Sequence, residues 1–396
     1  MAESRVLTYG RQSLDQSDRE AILDVLDGEW LTQGPAVERF ESALTQYFGA
    51  SYAVACANGT AALHLIALAL DWRPGDVVIV PAVTFLASAN CAAYVGAEPS
   101  FVDIDPETLT IDPAEVERRV LQLKAAGRHV AAVVGVDMAG HPCDWVALRE
   151  VADRHGLTLV DDACHAMGAT YHGVKIGQGV HAHVTALSFH PVKHITTGEG
   201  GAVLTNDPAV AARLRRLRSH GMERAPELIA DWEGPWHSDM VELGYNYRLT
   251  DLQCALGTSQ MRRLSSFVEA RRRIAALYDT QMAPYGELVR PTTAPWARHA
   301  YHLYVVQIGF GRHGRPDRKT FFARCAARGI VLQVHYRPVP MNTYYRGGQS
   351  QAQVASQYPN AAAYYERAVS VPMHPGLTED DVSRVVATLV ETAANA

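Results

Sequence analysis

From Tyr52 onward, short runs of consecutive apolar residues alternate with longer stretches whose apolar positions recur at helical spacing. "YAVACA" precedes "TAALHLIALAL", and "DVVIVPA" precedes "FLASANCAAYVG". "PSFVDID" precedes "PAEVERRVLQLKAAG", and "HVAAVVGV" precedes "DWVALREVADRHG". "LTLVDDA", "VTALSFH" and "GGAVLTND" complete the series. Strands that are apolar on both faces and alternate with helices predict a mainly parallel sheet covered by helices. Near Leu249 the pattern changes. "LTDLQCALGTSQMRRLSSFVEARRRIAALYDTQM" keeps a helical period over a long span. "YHLYVVQIGF", a helical "RKTFFARCAARG" and "IVLQVHYRPV" follow. The last stretch, "TEDDVSRVVATLVETAANA", predicts an amphipathic helix with Thr378 at its N-cap. The chain therefore reads as α/β, with a large domain over residues 1–255 and a smaller α+β domain over 256–396. The polar, Gly/Gln-rich "GGQSQAQVASQ", residues 347–357, is expected to be a surface loop.

Composition narrows the function classes. Of 396 residues, 48% are hydrophobic, enough for a large core. A net charge of -6 gives no electrostatic reason to expect nucleic acid. The start, "MAESRVLTYGRQSLDQ", has no apolar run of the secretory kind, and "AALHLIALAL" is too short to span a bilayer. The cysteines, at positions 56, 91, 143, 164, 254 and 325, form no CxxC pair. They read as reduced core thiols of a cytoplasmic protein.

Three stretches carry candidate chemistry. In "ANGTAALHL" a strand ends and an apolar helix begins at Asn58, Gly59 and Thr60. Free backbone N–H groups and the positive helix end make an anion site there, with Thr60 adding a hydroxyl. The plainer reading is a helix cap formed by Thr60. In "LTLVDDACHAMG", Asp161 and Asp162 close a buried strand, where open α/β sheets bind ligands and where a carboxylate needs a cationic partner. Helix capping is the plainer alternative, and a metal set of Asp161, Asp162 and His165 lacks a further ligand at a telling spacing. In "SFHPVKHITTGEGGAVLTND", Lys193 follows a buried strand and precedes a Gly-rich turn. Burial lowers a lysine's pKa and makes it a Schiff-base candidate, whereas most lysines in turns merely face solvent. Together, a helix tip for phosphate, an acid for a ring nitrogen and an amine for an aldehyde match the needs of pyridoxal phosphate.

The motifs "LTQGPAVERFE", "NGTAAL", "PAVTFLASAN", "VDDACHAMG", "SFHPVKHITTGEGGAVLTND", "LRSHGM", "GYNYRLTDLQCALG" and "VHYRPV" span nearly the whole chain. With them the chain resembles the DegT/StrS group of nucleotide-sugar aminotransferases, within fold type I of the pyridoxal phosphate enzymes. "LTQGP", "VDMAGHPCD", "SFHPVKHITTGEGG" and "QVHYRPV" are most similar to the branch that aminates a 4-keto-6-deoxy UDP-sugar, with L-glutamate as donor. The resemblance implies that Lys193 links to the cofactor aldehyde, Asp162 pairs with its ring nitrogen and His165 sits by its ring hydroxyl. Phe85 would stack on the ring. Thr60, the Ala61 amide and Ser188 would hold the phosphate, with Asn246 reaching it from the other subunit of a homodimer. Thr32, Gln33, His220, Gly221, His335 and Tyr336 would lie near the sugar nucleotide. Many relatives have Glu where this chain has Asp161, a position that does not face the ring. Dehydratase-type relatives have histidine in place of Lys193, so their chemistry is disfavoured. Another keto sugar, such as a UDP-4-keto-pentose or a dTDP-keto-hexose, is the alternative within the class. A cofactor-binding regulator is the alternative outside it, and intact Lys193, Asp162 and Thr60 argue against that.

Three stretches read as decoys. "GFGRHG" has dinucleotide-like glycines at 309, 311 and 314 but lacks the following helix and acid, so it reads as a turn. "RLRRLRSH" reads as a solvated helix face, with Arg218 able to approach a substrate diphosphate. His181, His183, His190 and His194 match no zinc spacing.

Overall fold

The computed structural model describes residues 5–311 and 314–394. Two helices, α1 (Gln16–Leu26) and α2 (Pro35–Phe48), precede the first strand, β1 (Tyr52–Cys56). Strand–helix alternation then gives α3 (Gly59–Ala69), β2 (Asp76–Pro81), α4 (Ala87–Tyr94), β3 (Glu98–Val102), α5 (Pro113–Ala125), β4 (His129–Val136), α6 (Trp145–His155) and β5 (Thr158–Asp162). Two short strands, β6 (Thr170–Tyr171) and β7 (Val174–Lys175), lead to β8 (Val184–Ser188), β9 (Gly201–Thr205) and α7 (Pro208–Arg218). The main sheet has seven strands in the order β1-β9-β8-β5-β4-β2-β3. The pairs β8–β5, β5–β4, β4–β2 and β2–β3 are parallel. The exception is β9, which runs antiparallel to both β8 and β1.

Successive strand residues point to opposite faces, so apolar residues at every position give the sheet two cores. Ala53, Ile79, Val133, Leu159, Leu187 and Leu204 pack on one side with Phe40 and Phe48 of α2 and Trp145 of α6. Val54, Val80, Val134, Val160, Ala186 and Val203 pack on the other with Leu63 and Ile66 of α3 and Leu214 of α7.

The rest of the chain follows a hairpin of β10 (Met222–Glu223) and β11 (Asp239–Met240), then α8 (Asp251–Met261) and α9 (Leu264–Met282). Helix α9 serves two cores. Its Leu264, Phe267 and Val268 join the first, whereas Ile274, Tyr278 and Met282 join a third. That third core also holds β13 (Tyr304–Gln307), which follows β12 (Ala297–Arg298), together with α10 (Arg318–Ala327). After α11 (Thr343–Arg346), α12 (Gln351–Gln357) and α13 (Pro359–Arg367), the antiparallel partner of β13, β14 (Ala368–Val371), and α14 (Glu379–Ala394) complete it. Thr378 caps α14: its Oγ1 accepts from the Asp381 N–H at 3.1 Å, and Asp381 accepts in return from the Thr378 N–H. Leu7, far away in sequence, joins this C-terminal core through backbone bonds to Gly329 and Val331.

The structure corrects the expected surface loop at 347–357. Residues 351–357 form α12, because Ser350 and Gln353 make a reciprocal capping box and Val354 is buried. Turn-like composition concealed a capped, one-sided helix. Within "IVLQVHYRPV" no strand forms, only single bridges from Ile330 to Leu7 and from Gln333 to Ser370. In the "GFGRHG" stretch, Arg312 and His313 lie outside the described residues, and Gly311 and Gly314 take positive φ at a turn closed by the Pro316 carbonyl. Among the described residues, no helix is long and apolar enough to cross a membrane, and no three acids, histidines or cysteines gather as a metal set.

Candidate active site

The sheet register brings the three chemical stretches to one edge. Gly201 at the start of β9 pairs with Cys56, the last residue of β1, and with Ser188, the last residue of β8. Asp162 ends the neighbouring β5. Beyond these ends lies a cavity of about 450 Å³, lined among others by Thr60, Phe85, Asp162, His165, Ser188 and Lys193.

Helix α3 points its N-terminus into the cavity. The cap is Asn58, whose Oδ1 accepts from the Ala61 N–H at 2.8 Å. Thr60 is therefore not the cap, and its hydroxyl stays at the cavity wall. The Ala61 amide, expected at the phosphate, is already committed to Asn58. The first amides of a helix have no acceptor within it, so those of Gly59 and Thr60 remain for an anion. Glycine is needed at position 59 because a Cβ there would lie 2.9 Å from the Ser188 Cβ and 3.3 Å from the Cys164 Sγ.

Asp162 is buried and pre-aligned. Its Oδ2 accepts from the Ser88 Oγ at 2.6 Å, and its Oδ1 from the Cys164 N–H at 3.2 Å. Ser88 is in turn 2.7 Å from the Thr84 Oγ1. Neither Ser88 nor Thr84 was singled out in the sequence, although both lie in "PAVTFLASAN". The neighbouring Asp161 turns away from the cavity, and its Oδ2 accepts from Thr185 at 3.2 Å. It has no cationic partner among the described residues; burial instead holds its carboxyl well above the ordinary range, which favours the neutral acid. Burial likewise raises nearby Asp137 to about 7.

Lys193 lies between Asp162, Cys164 and the imidazoles. Desolvation pulls its ammonium below the ordinary lysine value, opposed by Cys164 and Asp162. The Nδ1 of His165 accepts from the Ala139 N–H at 3.3 Å, which leaves its Nε2–H to meet the Tyr336 hydroxyl at 3.2 Å. Burial, then Lys193, keeps His165 well below the usual histidine pKa. Phe85 stands half exposed at the mouth, its ring 5.8 Å from that of Tyr336. His335 also lines the cavity and is anchored through Nδ1 to the Ser370 Oγ at 2.8 Å.

The other expected site residues lie outside this cavity. Thr32 bridges to Thr250, and the Gly34 and Ala36 amides donate to the Asp251 carboxylate at 2.8 and 3.0 Å. Gln33 has positive φ at that turn. The His220 N–H bonds to the Tyr245 carbonyl, and Ser219 bridges to Asn246. Gly221 also has positive φ, with the Glu242 carbonyl where a Cβ would be. Thr32, Gln33, His220, Gly221 and Asn246 thus all hang on the 242–251 stretch, and all but Gly221 are exposed.

Arg218 does not remain available for a diphosphate. Its guanidinium is engaged by Glu41 at 2.7 Å and by the Ala55 carbonyl at 2.7 Å. The histidine run is scattered: the His183 Nδ1 accepts from the Leu159 amide and the His194 Nε2 meets the Ala300 carbonyl at 3.1 Å. All six cysteines are free.

The cavity suits pyridoxal phosphate: a helix tip with two hydroxyls, a carboxylate aligned by donors, and an amine of depressed basicity all border one space of fitting size. Comparison with known proteins agrees. Residues 12–390 match the DegT/DnrJ/EryC1/StrS aminotransferase family. The spore coat polysaccharide biosynthesis protein SpsC of Bacillus subtilis is 36% identical, over 96% of this chain and 95% of its own. GDP-perosamine synthase of Caulobacter vibrioides is 36% identical, over 98% of this chain and 99% of its own. The solved structure of Helicobacter pylori PseC, an aminotransferase of pseudaminic acid biosynthesis, superposes with a TM-score of 0.86 at 28% identity, covering 98% of this chain and 99% of that one. The chain belongs to the DegT/DnrJ/EryC1/StrS aminotransferase family of pyridoxal phosphate-dependent enzymes that act on keto nucleotide-sugars.

Proposed function

We propose that the enzyme moves the amino group of L-glutamate to a 4-keto-6-deoxy UDP-sugar, as UDP-4-amino-4,6-dideoxy-N-acetyl-β-L-altrosamine transaminase of pseudaminic acid synthesis. The observation that carries the chemistry is the convergence of Lys193, Asp162 and the α3 tip on one cavity. The sugar assignment is supported by the motif combination and by the full-length likeness to PseC.

When bound, pyridoxal phosphate supplies an aldehyde and an electron-withdrawing ring. The residues of this chain do the rest. Gly59, Thr60 and Ser188 would hold the phosphate, and Phe85 would cover one ring face. Asp162, fixed by Ser88 and the Cys164 amide, would keep a proton on the ring nitrogen. His165 would donate from Nε2 near the ring hydroxyl. Lys193 Nζ, poorly solvated and so inclined to be neutral, would take the α-proton of glutamate and later deliver a proton to C4 of the sugar. His335 and Tyr336 would border the sugar from the C-terminal domain, residues 256–396.

The remaining contacts would come from a second copy. The 242–251 stretch carries exposed Leu243, exposed Met240 and Val241 precede it, and exposed Trp30 and Leu31 precede its bridge partner Thr32. An apolar surface of this kind suits a homodimer in which Asn246, Thr32, Gln33, His220 and Gly221 complete the partner's cavity. A cytoplasmic location accords with the free cysteines.

The test begins with the yellow, cofactor-loaded protein. L-Glutamate should bleach it, and the bleached form should convert a 4-keto-6-deoxy UDP-sugar to an amino sugar read by mass spectrometry. The relative GDP-perosamine synthase makes a GDP-linked sugar the second reading. Product from a GDP-, dTDP- or UDP-pentose substrate alone would refute the UDP-hexose assignment. A coloured protein that no amino donor bleaches would refute the transaminase.

A further inference from the structure

Helix α9 carries Arg271 on its apolar stripe, and this side chain is completely buried. A buried cation ordinarily has a carboxylate partner. Arg271 has none among the described residues. Its Nη1 donates to the carbonyls of Tyr301 at 3.2 Å, His302 at 3.2 Å and Met373 at 2.8 Å. Its Nε and Nη2 meet no acceptor. The next residue, Arg272, donates from Nε to the His299 carbonyl at 2.9 Å and from Nη2 to the Gly168 carbonyl at 3.0 Å. Two consecutive arginines therefore clamp the 299–302 segment, in which Tyr301 has positive φ.

The clamped segment is the floor of the candidate site. The Ala300 carbonyl holds His194, the neighbour of Lys193. The His302 ring lies 4.3 Å from that of His165, and both line the cavity with Lys193. Several groups surround the amine. Asp162, Cys164 and His165 come from the end of β5, and His190, His194 and Glu199 from the turn that bears the lysine. His302 comes from the clamped segment, His335 and Tyr336 from the C-terminal domain, and Arg271 from α9. Burial keeps His165, His194, His302 and His335 below the usual histidine pKa, hence uncharged near neutrality. Asp162 and Arg271 are then the inner groups whose charges oppose each other at Nζ.

We propose that Arg271 is a positioning residue for this reaction, holding residues 299–302 beneath Lys193 and keeping a cation without a carboxylate partner behind the cavity wall. The depressed basicity of Lys193 fits this role, with burial as its larger cause. The inference rests on Lys193 as the cofactor-linked amine.

The experiment is a pH titration of the visible band of the full-length, cofactor-loaded chain, with thermal unfolding as the check on folding. In R271M the midpoint should rise measurably, because loss of a nearby cation favours protonation of the lysine-derived nitrogen. R271K, which restores the charge, should stay near the wild-type midpoint. R271Q keeps a donor for the carbonyls without the charge, and should rise like R271M; it gives the reading if R271M does not fold. A folded R271M or R271Q with an unchanged midpoint overturns the role of Arg271 alone. Failure of all three variants to fold makes Arg271 a structural strut and also overturns it. A wild-type chain with no lysine-dependent band overturns the Lys193 assignment itself.

Discussion

The cavity wall and the 242–251 edge hold comparable numbers of expected site residues in opposite surroundings. Around Lys193 the inner polar groups are buried and bonded: Asp162 by Ser88, His165 by the Ala139 amide, His335 by Ser370. Along the edge, Thr32, Gln33, His220 and Asn246 are exposed, and large apolar side chains stand beside them. On the proposed reading, the difference separates a chemical half of the site that one chain builds by itself from a half that a second copy would complete. Strand ends organise the first, whereas positive-φ turns aimed outward organise the second.

Substitution of Lys193 should have the largest effect on this contrast. K193A should lower amino transfer by more than roughly a thousandfold, since both base and covalent anchor are lost. Borohydride reduction followed by peptide mass spectrometry should locate the cofactor on Lys193 in the wild type and nowhere in the variant. Amino transfer by K193A at the wild-type rate would break the reading of the inner wall.

Mixing tests the edge. N246A should weaken cofactor binding by about tenfold, the usual scale for one hydrogen bond to a charged group. Exchanged with K193A in equimolar dimers, at a cofactor concentration too low to load N246A itself, it should give about a quarter of wild-type activity, because half the dimers are mixed and each mixed dimer has one intact site. No recovery would mean that Asn246 serves its own chain's cavity, and the contrast between the two regions would fall.

Acid should loosen the inner wall first. Burial holds His335 and His374 at about 4 when folded, and His165, His194, His299 and His302 well below 6.5. In the unfolded chain they take up protons near pH 6.5, so stability is complete above that value and is lost as pH falls towards the folded values. For His335 the loss at pH 5 is on the order of 1–2 kcal/mol. The raised carboxyls of Asp137 and Asp161 act with the opposite sign below about 7, but they are fewer. The melting temperature of the cofactor-free chain should therefore fall between pH 6.5 and 5; a flat profile would contradict the neutral-histidine picture.

The smallest expected effect is local. N58A removes the α3 cap and should cost about 1 kcal/mol, seen as a lower melting temperature. Freeing the Ala61 amide in the same step should shift phosphate affinity, measured by cofactor titration.

Much of this was legible in the chain. The alternating pattern predicted the parallel sheet because each strand is buried on both faces, and the strand-end position of Asp162 and the position of Lys193 in the turn after a buried strand followed. Four features were hidden. The reversal of β9 leaves no mark in "GGAVLTND", because antiparallel and parallel central strands are equally apolar. Asn58 rather than Thr60 caps α3, since residues two positions apart can each serve as a cap. The helix at 351–357 is set by one capping box and one valine, too little to outweigh its glutamines and the preceding Gly347 and Gly348. Arg271 was readable in principle: it interrupts an apolar stripe of Leu264, Phe267, Val268, Ile274 and Tyr278. A charge on a buried stripe signals a task, but only the folded chain shows that it faces carbonyls and no acid.

The return of β9 beside β8 has a further consequence. Both ends of the Lys193 loop are pinned, with Phe189 bonded across to Gly200 at 2.7 Å and to Thr197 at 3.0 Å. The lysine therefore hangs from a backbone loop closed at its base, where the Phe189 and Thr197 amide protons should exchange slowly. Whatever breathing the C-terminal part undergoes would change the space in front of the amine while its anchorage stays still.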